Sequence, residues 1–319
     1  MIKDFKENDV INDIFLLTKR EFANTSTGKV YGRATLSDAS GSITAYMWDK
    51  YQQLEALAEN SVVAVQATVT TFNSKLQLRL VGISECVDEN VDYTKLLPSS
   101  EYDCDEMLAK LLNKAKSVQD PWLQKLLHYF FNDSTTLKKF KTHPGAVQFH
   151  HAFCGGLLQH SLSVAELSDY AASMYPFVNR DLVVTTALLH DIGKLEEIQP
   201  LPAHDCTTNG SLIGHIVGGQ NMVRAACNSI DGFPSQLREV VCHCILSHHE
   251  QLEWGSPMAP AIVEAAIVSM CDRLDARTQQ YREAVTDPKV MFSTAGFTGK
   301  AFPLGVRVSE YERLYDAEC

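Results

Sequence analysis

The chain has 319 residues and a mass of 35.5 kDa, more than one domain usually holds, so we expect two domains that each bury a core. Hydrophobic residues make up 45% and charged residues 21%, as in soluble globular proteins. We find neither a signal peptide nor an apolar run of membrane-spanning length, which predicts a cytoplasmic location and no membrane partner. The net charge of -11 excludes a broad positive field of the kind that binds duplex nucleic acid nonspecifically.

Short segments rich in β-branched and aromatic residues occupy the first part of the chain, and turn-forming stretches separate them. We predict five strands, at 14–17, 30–36, 42–48, 62–71 and 76–83. Between the third and fourth, residues 51–60 have helical spacing at Leu54 and Leu57. Five strands with a short helix in that position predict a small all-β OB-fold barrel, which we assign to residues 1–90.

Several aromatic and basic side chains of this barrel are candidates for binding a single strand of nucleic acid by base stacking and phosphate contacts. They are Tyr31, Arg33, Tyr46, Trp48, Phe72, Lys75 and Arg79. The alternative is that half of the aromatic residues belong to the barrel core, because strand alternation turns one face inward. Neither side of residue 95 carries an excess of Lys and Arg, which favours single strands over duplex.

The character of the sequence changes near residue 95. An acidic polar stretch at 88–92 and the turn-forming residues 97–100 predict a linker at 91–102. From Asp103 onward the apolar spacing is helical, and no comparable strand pattern follows. We therefore predict an all-α helical bundle over residues 103–319, with a loop at 200–210. Nine scattered cysteines without a CxxC pair indicate buried thiols in a reducing compartment.

An ordered series of imidazoles and carboxylates runs through the predicted bundle. It consists of His160, His190, Asp191, His215, His248, His249 and Asp272. Asp181 is expected to cap the apolar helix 182–189, which delivers His190 and Asp191. Burying that doublet costs several kcal/mol unless something pairs it, and a metal ion supplies the pairing. A carboxylate between spaced histidines can bridge two cations, which activate water beside a phosphate, so the series predicts a metallohydrolase.

Two choices stay open in this series. Asp272 and Asp275 are one helical turn apart, so their spacing alone does not select the ligand. His248 and His249 point about 100° apart if they are helical, so that one binds metal while the other contacts substrate or a further ion.

The series resembles the HD-domain superfamily of metal-dependent phosphohydrolases, whose signature is H…HD…D on a helical bundle. The resemblance implies a first metal held by His160, His190, Asp191 and Asp272, and a second held by Asp191, His215 and His248 or His249. It selects Asp272 over Asp275 through the context of residues 270–274. Lys194 resembles the lysine that neutralises substrate phosphate, and the alternative is a solvated lysine at the end of a helix.

Nearly the whole chain is similar to the YhaM-type 3′→5′ exoribonucleases, which join an OB-fold to an HD domain. The matching segments are 150–160, 187–194, 246–257, 274–277 and the tail from Phe297. The similarity implies hydrolysis of single-stranded RNA to nucleoside monophosphates, with single-stranded DNA as an open alternative and with Asp191, Lys194 and His249 as catalytic residues. Two divalent metal ions are implied, manganese first, with cobalt, iron, magnesium or zinc also compatible. The number of subunits stays open, a homo-oligomer included.

Two other functions are compatible with the same residues. The metal centre could serve a phosphohydrolase of nucleotides or cyclic dinucleotides, because such centres accept many phosphate esters. A protein that binds single strands without catalysis is the second alternative, which the complete ligand series disfavours.

Overall fold

The computed structural model describes residues 1–86, 91–147, 151–199, 202, 205–286, 290–293, 296–301 and 303–310. Residues 1–99 form one compact unit, and residues 100–199 together with those from 205 onward form a second. Among the described residues, no helix has the length and apolar content needed to cross a membrane. Residues 88–90 of the acidic polar stretch, His150, most of 200–204 and residues 311–319 of the tail lie outside the described residues.

The first unit is a closed five-stranded barrel with the strand order β1-β2-β3-β5-β4. Its strands are β1 (Val10–Asn24), β2 (Val30–Asp38), β3 (Gly41–Met47), β4 (Ser61–Phe72) and β5 (Lys75–Glu85). β1 is antiparallel to both β2 and β4, and β3 closes the barrel by parallel pairing with β5. The predicted OB-fold barrel is thereby confirmed. Its core includes Phe15, Leu36 and Met47, all buried.

Two elements of the barrel differ from the prediction. β1 extends well beyond 14–17, because its charged second half, which carries no hydrophobic pattern, pairs through its backbone with β2 from Lys19 to Asn24. A register shift between Leu17 and Lys19 lets the strand bend between its two partners. The predicted helix at 51–60 is only α1 (Gln52–Glu55), although both of its apolar positions, Leu54 and Leu57, are buried as expected.

The second unit is a helical bundle, as predicted. Its helices are α2 (Cys104–Lys116), α3 (Pro121–Phe131), α4 (Ser134–Thr142), α5 (Gly156–Ser173), α6 (Arg180–Leu189), α7 (Lys194–Glu197), α8 (Thr208–Ile213), α9 (His215–Ser229), α10 (Ser235–Leu246) and α11 (Val263–Thr286). The strands β6 (Lys300–Ala301) and β7 (Val306–Arg307) form a small hairpin near the end. α6 is buried from Leu182 through Leu189 and packs against α5 and α11, so its C-terminal end lies deep in the bundle.

Two local predictions in this unit are wrong. Asp181 does not cap α6; the side chain of Asn179 accepts the Leu182 amide, while Asp181 accepts the amides of Gln119 and Asp120. The predicted loop at 200–210 ends early, because the Thr207 hydroxyl accepts the Gly210 amide and begins α8 at Thr208. In both cases a cap residue starts the helix at a position that hydrophobic spacing does not mark.

Candidate functional site

The ends of several helices bring the predicted metal ligands together. The His-Asp turn (residues 190–193) directly follows α6, and His215 is the first residue of α9. His248 and His249 follow Ser247, the C-cap of α10. His160 and Asp272 lie within α5 and α11, which pack against each other. All seven side chains of the series therefore converge on one point of the second unit, with Asp191 at the centre.

The two carboxylate oxygens of Asp191 face different sets of imidazoles. Oδ2 lies 3.4 Å from Nε2 of His160 and 3.4 Å from Nε2 of His190. Asp272 Oδ1 completes this first group, 3.1 Å from His160 Nε2. Oδ1 of Asp191 lies 3.6 Å from Nε2 of His215 and 3.6 Å from Nε2 of His248. One carboxylate thus joins two groups of ligand atoms, which is the arrangement that a bridged pair of cations requires.

The far nitrogen of each imidazole is held by an acceptor. Nδ1 of His190, His248 and His249 donates to the carbonyl oxygens of Ala187, Ile245 and Trp254, at 2.7, 2.6 and 3.2 Å. Nδ1 of His160 and His215 contacts the carboxylates of Asp275 and Glu197, at 2.7 and 2.8 Å. Because a carbonyl oxygen only accepts, the first three rings carry their proton on Nδ1 and, when neutral, direct the Nε2 lone pair at the centre. This second layer of contacts fixes ring orientation as in known metal sites.

The donor set fits divalent cations. Among the described residues, Asp191 Oδ1, His215 Nε2 and His248 Nε2 are buried without a hydrogen-bond partner. His190 Nε2 lies 3.2 Å from His160 Nε2, where two lone pairs would repel unless positive charge lies between or beside them. Unpaired buried polar atoms each cost about 1–3 kcal/mol, and a cation at each group would satisfy them. The atoms are nitrogen and oxygen without thiolate, which suits manganese, iron, cobalt, magnesium and zinc.

The electrostatics of the centre favour ionised carboxylates and, at His248 and His249, neutral imidazoles. Burial raises the pKa of Asp191, but Lys194 and the surrounding histidines lower it by more. The pKa of Asp191 therefore lies well below its usual value. Burial and the neighbouring His248 lower the pKa of His249 to about 3. Burial also lowers the pKa of His160, yet the adjacent carboxylates raise it more, so its Nε2 attracts positive charge. Ionised carboxylates and neutral His248 and His249 are the protonation states that metal binding needs, and a cation would take the place of the proton that His160 attracts.

Lys194 is buried and lies inside the centre. Its Nζ is 2.7 Å from Asp191 Oδ2, and its own carbonyl oxygen accepts a hydrogen bond from His143 Nε2 at 3.0 Å. It begins α7 and does not end a helix. The solvated lysine that the sequence left open as an alternative is therefore wrong.

The barrel candidates all lie on its outer surface. Tyr31, Tyr46 and Trp48 form a stack, with ring centroids 4.7 Å apart for Tyr31 and Trp48 and 5.8 Å apart for Tyr46 and Trp48. Cross-strand pairing places Arg33 and Arg79 on either side of Tyr46. The remaining candidates are Phe72 and Lys75 at the β4–β5 turn, both exposed. The alternative that half of these aromatics belong to the core is wrong.

Comparison with known proteins assigns the chain to a family. Residues 157–277 match the HD domain family. The 3′-5′ exoribonuclease YhaM of Oceanobacillus iheyensis is 31% identical over 281 residues, covering 86% of each chain. The enzyme of the same name from Geobacillus sp. is 30% identical over 280 residues, covering 87% of this chain and 86% of that one. The chain belongs to the YhaM family. Among solved structures, the second OB-fold domain of replication protein A from Methanococcus maripaludis matches 28% of the chain and 97% of that domain, at 14% identity and a TM-score of 0.23.

Three residues behind the predicted ligands of this YhaM-family centre were given no role from the sequence. Asp275, which spacing left as a rival of Asp272, lies behind His160 and also contacts His151 Nε2 at 2.9 Å. His151 is buried and has a positive φ of 62°. The Glu197 carboxylate contacts His215 Nδ1 and accepts a hydrogen bond from the backbone amide of His215. The one-turn spacing of Asp272 and Asp275 was a usable signal, whereas nothing in the sequence marks Glu197.

A close backbone approach positions the second group. The His-Asp turn touches the first turn of α9 at Gly193, where an added Cβ would come closer than 3.0 Å to the carbonyl oxygen of His215 and to the backbone of Gly219. Real Cβ atoms essentially never come so close, so only glycine permits this contact. Gly193 thus allows the two backbones to approach closely enough for Asp191 and His215 to lie in one centre of the YhaM-family fold.

Proposed function

We propose that this chain is a metal-dependent 3′→5′ exoribonuclease that hydrolyses single-stranded RNA to nucleoside monophosphates. The observation that carries the proposal is the carboxylate of Asp191, each of whose oxygens faces its own group of imidazoles. Membership of the YhaM family supplies the reaction and its direction, because relatives that align over most of both chains bear that name.

Two divalent cations would be held by this centre. We assign His160, His190, Asp191 and Asp272 to the first cation and Asp191, His215, His248 and His249 to the second. Cations in these positions supply Lewis acidity, which lowers the pKa of a water molecule and stabilises the negative charge that grows on a phosphodiester. Manganese is our choice among the metals that nitrogen and oxygen ligands accept.

The residues of the chain itself would position the substrate and supply charge beside it during hydrolysis. Asp191 joins the two groups, and Lys194 fixes that carboxylate from 2.7 Å while contributing positive charge toward a bound phosphate. His249 is half-buried and lies at the edge of the centre, with its Nδ1 committed to the Trp254 carbonyl. It is therefore the imidazole best placed to contact both the second cation and substrate, so Asp191, Lys194 and His249 form our catalytic set.

The barrel would bind bases and phosphates of the single strand. We propose that bases stack on Tyr31, Tyr46 and Trp48, and that Arg33, Lys75, Arg79 and Phe72 contact the neighbouring nucleotides. Stacking does not distinguish ribose from deoxyribose, so single-stranded DNA is a second substrate. A homo-oligomer and a cytoplasmic location remain predictions; the absence of disulfides among the described cysteines is consistent with a reducing compartment.

The test is a time course on 5′-labelled single-stranded RNA with manganese, compared with Asp191→Asn. We expect the wild type to shorten the strand from its 3′ end, and the variant to lose at least about a thousandfold in rate and one bound metal per chain. Asp231→Asn, at an exposed carboxylate outside the centre, is the matched control. Internal cuts, activity on mononucleotides only, or an unimpaired Asp191→Asn variant would refute the proposal.

A further inference from the structure

A cleft of about 590 Å³ opens beside the metal centre within the second unit. Its walls are His248, His249, Glu250, Trp254, Ser269, Asp272, Arg273, Ala276, Arg277, Gln280 and Pro303. Three of these residues belong to the ligand series, so a molecule in the cleft lies directly against the centre. The volume is within the range of pockets that enclose one small organic ligand.

Trp254 presents an aromatic face to this cleft. It ends the 3-10 helix Leu252–Trp254, and the residue is 48% exposed. Its carbonyl oxygen accepts the hydrogen bond of His249 Nδ1, which fixes the backbone of Trp254 beside a proposed ligand of the centre. A large apolar ring that remains open to solvent beside a phosphoesterase centre is suited to stacking a base, which would cover it.

Two arginines of α11 line the same cleft. The charge of Arg273 is already paired, because its guanidinium forms an ion pair with Glu250 at 2.7 Å. The same guanidinium lies 5.7 Å from the ring centroid of Trp254. Arg277 follows one turn later, and its hydrogen bond to the Gln280 side chain is long, 3.5 Å. Within the part of the chain that the structure describes, Arg277 forms no ion pair with a carboxylate. Its charge is therefore available for a phosphate in the cleft.

We infer that this cleft is the subsite for the 3′-terminal nucleotide, with Trp254 stacking on its base and Arg277 pairing with its phosphate. The inference rests on the proposed function, because only an enzyme that acts at a strand end has to enclose one terminal nucleotide. Arg273 lies over the Trp254 ring and is itself held by its ion pair with Glu250, which leaves the other face of the ring for the base. Because every base has a face that can stack, the subsite accepts all four nucleotides.

Kinetics on two substrates test this subsite. Bis(p-nitrophenyl) phosphate has no nucleobase and reports on the centre itself, whereas a 5′-labelled RNA reports on the centre and the subsite together. We expect the ratio of kcat/KM for RNA to that for the small ester to fall about tenfold or more in Trp254→Ala and in Arg277→Ala. Trp254→Phe should recover part of the loss. Leu252→Ala, on the same 3-10 helix but outside the cleft, and Arg224→Ala, which removes an arginine from α9, are the matched controls.

Binding of the product gives a measurement independent of turnover. Adenosine 5′-monophosphate should quench tryptophan fluorescence in the wild type and in Trp48→Phe, and should fail to do so in Trp254→Phe, while ribose 5-phosphate should quench none of them. Quenching that survives in Trp254→Phe, or an unchanged substrate ratio in Trp254→Ala of an enzyme that shortens RNA normally, would overturn the subsite. A wild type that hydrolyses the small ester but does not shorten RNA would overturn the proposed function, and the subsite with it.

Discussion

Asp275 lies behind the proposed ligands of the metal centre and contacts one of them through its carboxylate. Its Oδ2 contacts both His160 Nδ1 and His151 Nε2, at 2.7 and 2.9 Å. It therefore holds the ring that contributes Nε2 to the first group. His151 keeps this position although its φ of 62° belongs to the left-handed region, which costs a non-glycine residue about 1–3 kcal/mol. The surrounding contacts, including the Gly145 amide on its carbonyl oxygen, hold it there.

We predict that Asp275→Asn weakens metal binding about 10- to 100-fold, because an amide orients and polarises the imidazole of His160 less well than a carboxylate. Titration with manganese should show activity that is low at limiting metal and approaches the wild-type value at saturation. Asp169→Asn is the control, since Asp169 is similarly buried and paired with Lys114 and Arg180 but lies away from the centre. Equal metal titrations for wild type and Asp275→Asn would contradict the role.

The sequence predicted the residues that line the centre better than the residues that lie behind them. A charged doublet inside an apolar run is costly to bury, so His190 and Asp191 stand out without a structure. The outer contacts join residues that are far apart in the chain, such as His151 and Asp275, 124 positions from each other. Because no local periodicity links such pairs, their association follows only from tertiary packing: His151 shortly precedes α5, and α5 packs against α11, which carries Asp275.

Among the elements, the contact between the His-Asp turn and α9 is the most sensitive to a single atom. We predict that Gly193→Ala separates the two backbones, lowers the occupancy of the second cation and reduces activity at least tenfold, because the added methyl group meets the backbone of His215 and Gly219. Metal content per chain and RNA shortening are the measurements.

Gly218→Ala is the matched control for Gly193→Ala. Gly218 lies in α9 near the same contact, yet an added Cβ there would have no atom within 4 Å. Alanine is a better helix former than glycine, so we expect this variant to be more stable by about 0.5–1 kcal/mol and fully active. If both variants retained both metals, close approach at Gly193 would not be what positions His215.

The β2–β3 hairpin carries the second prediction at the scale of elements. Replacing Trp48 or Tyr46 by alanine removes one member of the aromatic stack, and we expect the affinity for single-stranded RNA to fall about 5- to 100-fold. Fluorescence anisotropy of a labelled strand with the inactive Asp191→Asn chain measures it without degradation. Val81→Ala, at an exposed apolar side chain of β5, should bind normally. Unchanged binding by both hairpin variants would remove the barrel face from the proposal.

Strands and helices could be predicted where their buried apolar residues recur at a regular spacing. Their ends could be predicted less well. The five strands and the helical character of the second unit follow from apolar spacing. The second half of β1 does not, because its side chains are charged and its pairing with β2 depends on backbone hydrogen bonds. Likewise Asn179 and Thr207 begin their helices through single side-chain hydrogen bonds, and several nearby polar residues could have done the same.

On the scale of the molecule, charge limits how RNA can be held. The net charge of -11 repels a polyanion, so binding has to come from a few local cations, from stacking and from the metal centre. The sequence was sufficient to predict this limitation and the division into a strand-rich and a helical part, because composition and periodicity change along the chain. It could not predict which arginines stay available, since that depends on ion pairs such as Arg273 with Glu250.

The dependence on salt should therefore differ between long and short substrates. If Arg33, Lys75 and Arg79 each neutralise one phosphate, the logarithm of affinity falls with the logarithm of salt with a slope of about -2, and KM for a 20-nucleotide RNA rises about twentyfold between 50 and 200 mM. A short strand that contacts a single cation, Arg277, should change only about two- to threefold. Replacing the three barrel residues by alanine should flatten the response of the long strand to that of the short one. Equal slopes for both lengths would mean that the barrel cations do not hold the RNA, and that the second unit alone sets its affinity.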